Sequence, residues 1–220
     1  MKEKLLNGLR WLFKSYIWLG VLLLAIDIIT KQIVMHSGVT PPGVVADWGF
    51  VHITYVLNDK AAFGIGAADA DVSRTIYLIV ATLITAGLVT YLVLKRKETK
   101  LFIRAALIMV IAGAIGNMID RIFYGSLPGQ NGRVLFGGSV VDWIDFSCIL
   151  PFWVWNFNIA DSCIVVAAFM LIIYIIVIEV KDYREKNKNK VKTVNDHQKV
   201  LSKSEREKLE AEKAEQEEGK

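Results

Sequence analysis

The sequence predicts an all-α membrane protein with four transmembrane helices, and two observations carry that reading. Apolar residues make up 54% of the 220 residues and the mean hydropathy is +0.40, above the usual range of a soluble domain. The excess is gathered into four continuous blocks, residues 16–34, 75–94, 101–122 and 157–180, each near the roughly 20 residues that cross a bilayer as a helix. A membrane barrel would alternate apolar and polar residues in short segments. These blocks do not, so a helix bundle is the remaining way to satisfy the backbone in lipid.

The charges orient the bundle. Lys2, Lys4, Arg10 and Lys14 precede the first block. Lys95, Arg96, Lys97, Lys100 and Arg104 crowd the link between the second and third, and Lys181, Arg184, Lys186, Lys188 and Lys190 follow the fourth. The remaining loops, about 36–74 and 123–156, hold only Lys60, Arg74 and Arg133 as basic residues. The positive-inside rule then puts both termini in the cytoplasm and both long loops outside. The net charge of +4 is accounted for by this distribution, so no nucleic-acid partner is expected.

Taken in order, the first block is a retained anchor rather than a secretory signal. It is long, carries Asp27 and Lys31, and is followed by three more spans without a small-residue cleavage site. In the first outer loop, Pro41-Pro42-Gly43 breaks any helix, and residues 48–57 alternate as a short strand. Asn58-Asp59-Lys60 is a turn candidate. The link 95–100 is a tight charged turn. The second outer loop is glycine-rich, with Gly125, Gly129, Gly132, Gly137 and Gly138, up to Ser139-Val140-Val141. Trp143, Trp153 and Trp155 suit the headgroup belt. Cys148 and Cys163 are expected to be two packed thiols. The chain divides into a transmembrane domain, 1–180, and a charged cytoplasmic tail, 181–220, expected to be disordered or a solvated helix.

The polar residues of the spans collect toward their outward ends. Asp27 and Lys31 are four apart and share a helix face. Gly116, Asn117, Asp120 and Arg121 close the third span, and Asn158 and Asp161 open the fourth. The segment Val140-Val141-Asp142-Trp143-Ile144-Asp145 leads into the same layer. Ordinary structural roles exist for each: an ion pair for Asp27–Lys31, a helix-end pair for Asp120–Arg121, a helix cap and first-turn acid for Asn158 and Asp161, and packing for Gly113 and Gly116. A carboxylate within a membrane helix nevertheless costs about 3 kcal/mol on the translocon scale, and such groups are commonly functional.

Other chemistries fall away. The histidines are His36, His52 and His197, so there is no H-E-x-x-H zinc motif. There is no G-x-S-x-G elbow and no phosphate-binding loop. No metal or cofactor is expected. What remains is a carboxylate pair, in which one group holds a proton while the other, ionised, acts as base toward a water. Asp161 is one candidate. Spacing alone leaves Asp142 and Asp145 open for the other.

Five motifs in order carry a resemblance: Asp27-Ile-Ile-Thr30-Lys31, Asn58-x-x-Ala61-Ala62-Phe63, Gly116-Asn117-x-Ile-Asp120-Arg121, Val140-Val141-Asp142-x-Ile144 and Phe157-Asn158-x-Ala160-Asp161-Ser162. Over roughly residues 15–180 the chain resembles bacterial lipoprotein signal peptidase, signal peptidase II. The resemblance implies four membrane helices with a small extracytoplasmic β-cradle. It implies cleavage of the signal peptide from prolipoproteins just before a diacylglyceryl-modified cysteine, by a monomer in the bacterial cytoplasmic membrane whose active site lies near the outer face. Prolipoprotein substrates and membrane lipids are then the partners, and the antibiotic globomycin an inhibitor. It puts the catalytic pair on Asp142 and Asp161, and gives Asp27, Lys31, Asn58, Asn117, Arg121 and Asn158 supporting roles around the site. One position departs: the family's N-x-G-A-A-F glycine is Lys60 here, and a positive φ at that point would penalise lysine. The alternative reading from another class is a small proton-coupled transporter relaying protons through Asp27, Asp120 and Asp161. A non-catalytic membrane scaffold is the third.

Overall fold

The computed structural model describes residues 3, 15–58, 70–123, 138–150 and 152–218. Its elements in chain order are α1 (Ile17–Met35), β1 (Gly43–Asp47), β2 (His52–Asn58), α2 (Ala70–Leu94), α3 (Leu101–Phe123), β3 (Val140–Asp145) and α4 (Ile159–Glu218). Four helices are long and apolar enough to span a membrane: Ile17–Met35, Thr75–Leu94, Leu101–Phe123 and the Ile159–Thr193 part of α4. The protein is thus a multi-pass membrane protein. Lys60, together with Ala61-Ala62-Phe63 and most of the glycine-rich loop, lies outside the described residues.

The helices meet through small side chains, as expected where lipid is as apolar as the interface and close approach supplies the attraction. Ala105, Ala106, Ala112, Gly113 and Gly116 are buried on α3, and α3 packs against both α1 and α2. The first turns of α4 bury Ala160, Cys163 and Ala167, spaced three and four apart on one face. A methyl added to Gly113 would collide with the carbonyl oxygen of Ala160, so that glycine is what lets α4 lie against α3. Many large apolar residues face outward: Ile33, Leu83, Val93 and Phe169 are each exposed, which in a membrane means exposed to lipid. Both cysteines are free thiols.

At one end of the helices sits a three-stranded antiparallel sheet in the order β1-β2-β3. Its underside packs on the end of α1: Val34 joins Ile53, Tyr55 and Val141 in a buried cluster bordered by Met35, Leu57 and Trp143. The sheet corrects the sequence reading in two respects. Residues 48–50 are not strand but the turn between β1 and β2, with Gly49 at φ 77°, a region glycine reaches without strain. Strict alternation also fails in β2, where Ile53, Thr54 and Tyr55 are all buried. The cause is a bulge: Ile53 pairs with Ile144 but Val56 with Asp142, so Thr54 and Tyr55 lie opposite Trp143 alone. Such bulges re-aim side chains, and this one stands immediately beside Asp142.

Candidate active site

The site is built where β3, the C-terminal end of α3 and the first turn of α4 converge. Asn158 caps α4. Its side-chain Oδ1 accepts the backbone N–H of Asp161 at 2.9 Å, and the Asp161 carboxylate accepts the backbone N–H of Asn158 at 3.3 Å. This reciprocal arrangement is a capping box with aspartate in the N3 role. The preceding residue, Phe157, is stitched to β3: its carbonyl accepts the N–H groups of Trp143 and Ile144 at 3.0 and 2.8 Å, and its N–H donates to Ile144 at 3.1 Å. The start of α4 and the strand carrying Asp142 therefore hold one another.

Asp142 and Asp161 line a single cavity of about 720 Å³ together with Asn58, Asn117, Arg121, Asn156 and Ser162. The rest of its wall is mainly apolar, with Val56, Leu57, Trp153, Val154, Trp155, Ile164 and Val165 among its members. Such a cavity, largely apolar with a few convergent polar groups, is the usual form of a ligand site.

The two carboxylates are served by amides. Asp142 accepts the Nδ2 of Asn58 at 2.8 Å on one oxygen and the Nδ2 of Asn158 at 2.8 Å on the other. Asp161 accepts the Nδ2 of Asn117 at 2.8 Å on the oxygen not used by the Asn158 backbone. The amide orientations follow from their other partners. Asn158 Oδ1 is committed to the Asp161 N–H, so its Nδ2 turns to Asp142. Asn117 Oδ1 accepts from Lys31 Nζ at 3.1 Å and from Asn158 Nδ2 at 3.2 Å, so its Nδ2 turns to Asp161. Burial pushes the Asp142 carboxyl up to about 7, with the neighbouring Asp161 charge adding to the rise, because both effects disfavour a second negative charge.

Beneath this layer lies a buried ion cluster. Lys31 is fully buried, and its ammonium sits 2.8 Å from Asp27 and 2.8 Å from Asp120. Asp27 also accepts the backbone N–H of Ala160 at 2.9 Å. An ammonium so far from water is tolerable only with paired charge and filled hydrogen bonds, and here three oxygens surround it. Gly116 leaves room for the cluster, since a methyl there would come within 2.6 Å of Asp27 Oδ2.

The structure thus brings Asp27, Lys31, Asn58, Asn117, Arg121, Asn158, Asp142 and Asp161 into one region. It separates Asp145 from them. Three residues along a strand from Asp142, that side chain belongs to the opposite face, where it accepts Ser147 N–H at 2.8 Å and Ser147 Oγ–H at 2.9 Å and stands 3.6 Å from His52. Asp120 and Arg121, expected as a helix-end pair, direct their side chains to different neighbours. Adjacent helical residues point about 100° apart, so Asp120 turns inward to Lys31 while Arg121 lies over the Tyr77 ring, 5.4 Å from its centroid, and borders the cavity. Asn156 was missed in the sequence because nothing local marks it. It reaches the cavity from the irregular segment before α4 and donates to Thr54 Oγ1 at 2.5 Å.

Comparison with known proteins agrees with the fold and the motifs. The lipoprotein signal peptidase of Clostridioides difficile (strain 630) is 34% identical over 166 residues, covering 76% of this chain and 97% of that protein. The lipoprotein signal peptidase of Desulfitobacterium hafniense (strain DCB-2) is 32% identical over 174 residues, covering 79% and 97%. A bacterial membrane enzyme solved by the in meso method at 1.9 Å superposes with a TM-score of 0.57 at 28% identity, covering 73% of this chain and 92% of that one. Residues 19–177 match the family described as signal peptidase (SPase) II. With four membrane helices, an outlying sheet, a lined cavity and most of the chain matched, this protein belongs to the signal peptidase II family and is a protease of lipoprotein processing.

Proposed function

We propose that this chain is an aspartic endopeptidase that releases signal peptides from prolipoproteins just before a diacylglyceryl-modified cysteine, with Asp142 and Asp161 as its catalytic pair. The observation that carries the reading is the pair of carboxylates bordering one mainly apolar cavity, each oxygen supplied with an N–H donor. Two carboxylates in one buried site share a proton at neutral pH, since both cannot comfortably ionise. The ionised member takes a proton from a water as that water's oxygen attacks the scissile carbonyl. The protonated member donates to the carbonyl oxygen, giving a neutral tetrahedral diol. Collapse breaks the C–N bond. One diol hydroxyl gives its proton to the ionised member while the leaving amine takes the proton of the other, so the pair again holds one proton.

The supporting residues have roles consistent with this chemistry. Asn58, Asn117 and Asn158 hold the carboxylates at fixed angles, and Asp27 and Lys31 brace them from below. Arg121 offers a cation at the cavity edge for the carbonyls of the bound peptide. The apolar wall of Trp153, Val154, Ile164 and Val165 suits acyl chains on the cysteine. The distribution of basic residues supports cytoplasmic termini and an outward-facing site. A signal peptide spans with its basic end inside, so its cleavage site would emerge in the same layer.

The test is incubation of purified protein with a diacylated prolipoprotein and mass measurement of the products. Two fragments are expected, one beginning with the lipid-modified cysteine. An intact prolipoprotein after prolonged incubation with correctly inserted enzyme would reject the reading.

A further inference from the structure

We infer that Asp120, a residue outside the cavity, is a positioning residue for Asp142, acting through the backbone of β3. This rests on the reading of Asp142 as catalytic and extends it to a side chain that does not line the cavity. Asp120 is buried on the C-terminal end of α3, 1% exposed. Its Oδ2 accepts two hydrogens at once, from Lys31 Nζ at 2.8 Å and from the backbone N–H of Val141 at 3.1 Å. Val141 is itself fully buried and immediately precedes Asp142.

The reason lies in the edge of the sheet. β3 pairs with β2 on one side only, so its other edge must find partners elsewhere. Along that edge the Val141 carbonyl is met by Asn158 Nδ2 at 3.4 Å, and Trp143 and Ile144 are met by Phe157. The Val141 N–H is the member of this series served by α3, and Asp120 is the group that serves it. Without that acceptor the amide is a buried donor with no water to replace the loss. The strand would then be free to shift at the residue next to Asp142, and small displacements of a reacting group are costly in rate. Lys31 extends the link. The same ammonium that holds Asp120 also donates to Asn117, whose Nδ2 meets Asp161. One buried cation therefore fixes a support of each candidate carboxylate.

Two variants separate this role from simple charge balance. Asp120→Asn keeps an oxygen that can accept from Val141 but removes the charge. Asp120→Ala removes both. The expected result is a fall in kcat on the order of 10- to 100-fold for Asp120→Ala, with KM for the prolipoprotein within a few-fold of the parent. Asp120→Asn should recover most of that loss. Equal kcat losses in the two variants would overturn the inference, because charge rather than the acceptor would then be at work. A loss confined to KM would overturn it too. The second measurement is amide hydrogen exchange at Val141 in detergent micelles, which needs no turnover and stands even if no prolipoprotein is cleaved. Val141 should stay protected in Asp120→Asn and, where Asp120→Ala folds, exchange faster there. A Val141 amide that exchanges freely in folded Asp120→Asn, or stays fully protected in folded Asp120→Ala, would rule out the hold on β3.

Discussion

Residue by residue, the site turns on which carboxylates reach the cavity. Asparagine keeps the shape of aspartate but neither takes a proton from water nor donates one as an acid. Asp142→Asn and Asp161→Asn should each lower cleavage by at least about a thousandfold while leaving membrane insertion intact, and the double variant should be little worse than either. Asp145→Asn should retain most activity, since Asp145 is engaged with Ser147 away from the cavity. Rates of prolipoprotein cleavage by purified variants check this, and equal inactivation by Asp145→Asn would reject the assignment. The pH dependence has a definite sign. The Asp142 carboxyl rises from 3.8 to about 7 by burial first and by Asp161 second. The folded protein therefore binds more protons than the unfolded chain between those values. Stability from this group is full below the lower value and is lost as pH rises through the upper one. The thermal midpoint of the parent, relative to Asp142→Asn, should fall between pH 5 and pH 8. Cleavage should decline above about pH 7 as the pair loses its shared proton, and fall again in acid when both members are protonated.

At the scale of elements, the glycines of α3 decide how closely the carriers of the site approach. Gly113 meets backbone, the carbonyl of Ala160, which cannot swing aside. Gly116 meets Asp27, whose carboxylate is held by Lys31 and by the Ala160 N–H. Gly113→Ala should push α4 from α3 and cost about 1–3 kcal/mol, read as a lower midpoint of thermal unfolding in micelles. Gly116→Ala should displace Asp27 and cut cleavage as well as stability. An unchanged midpoint in both would mean that the contact is looser than the geometry requires. These helices were legible in the sequence because continuous apolar runs carry their own signal: the first and third spans differ from the expected bounds by one residue at each end or less. Of the strands, β2 was legible but drawn four residues too early, and β1 and β3 were not. β1 is five residues of mixed burial, and β3 was visible only as the point where a glycine-rich loop ends. Their existence depends on pairing with β2 across many residues, and the bulge opposite Trp143 removes the alternation that would have located β2 correctly.

For the whole molecule, the polar layer was legible because a charge inside an apolar run demands a partner, and the topology left few candidates. Lys31 with Asp27 followed from spacing. The partnership of Lys31 with Asp120 did not, because it joins residues 89 positions apart. The last step concerns the tail. Every residue of the candidate site belongs to the compact unit Met1–Leu171. The helix α4 continues to Glu218, yet from Lys181 to Thr193 it is exposed, and the bases at 181–190 argue for a cytoplasmic location. A segment with few apolar residues contributes little buried surface to the bundle. Truncation after Asn189 keeps the whole apolar run together with Lys181, Arg184, Lys186 and Lys188, and should leave kcat and KM for prolipoprotein within about twofold of the full chain. The comparison needs equal amounts of inserted protein, measured by detergent extraction and gel filtration. A correctly inserted truncation with tenfold lower turnover would mean that residues 190–220 take part in the working enzyme, and that the functional boundary lies beyond the continuous apolar run of α4.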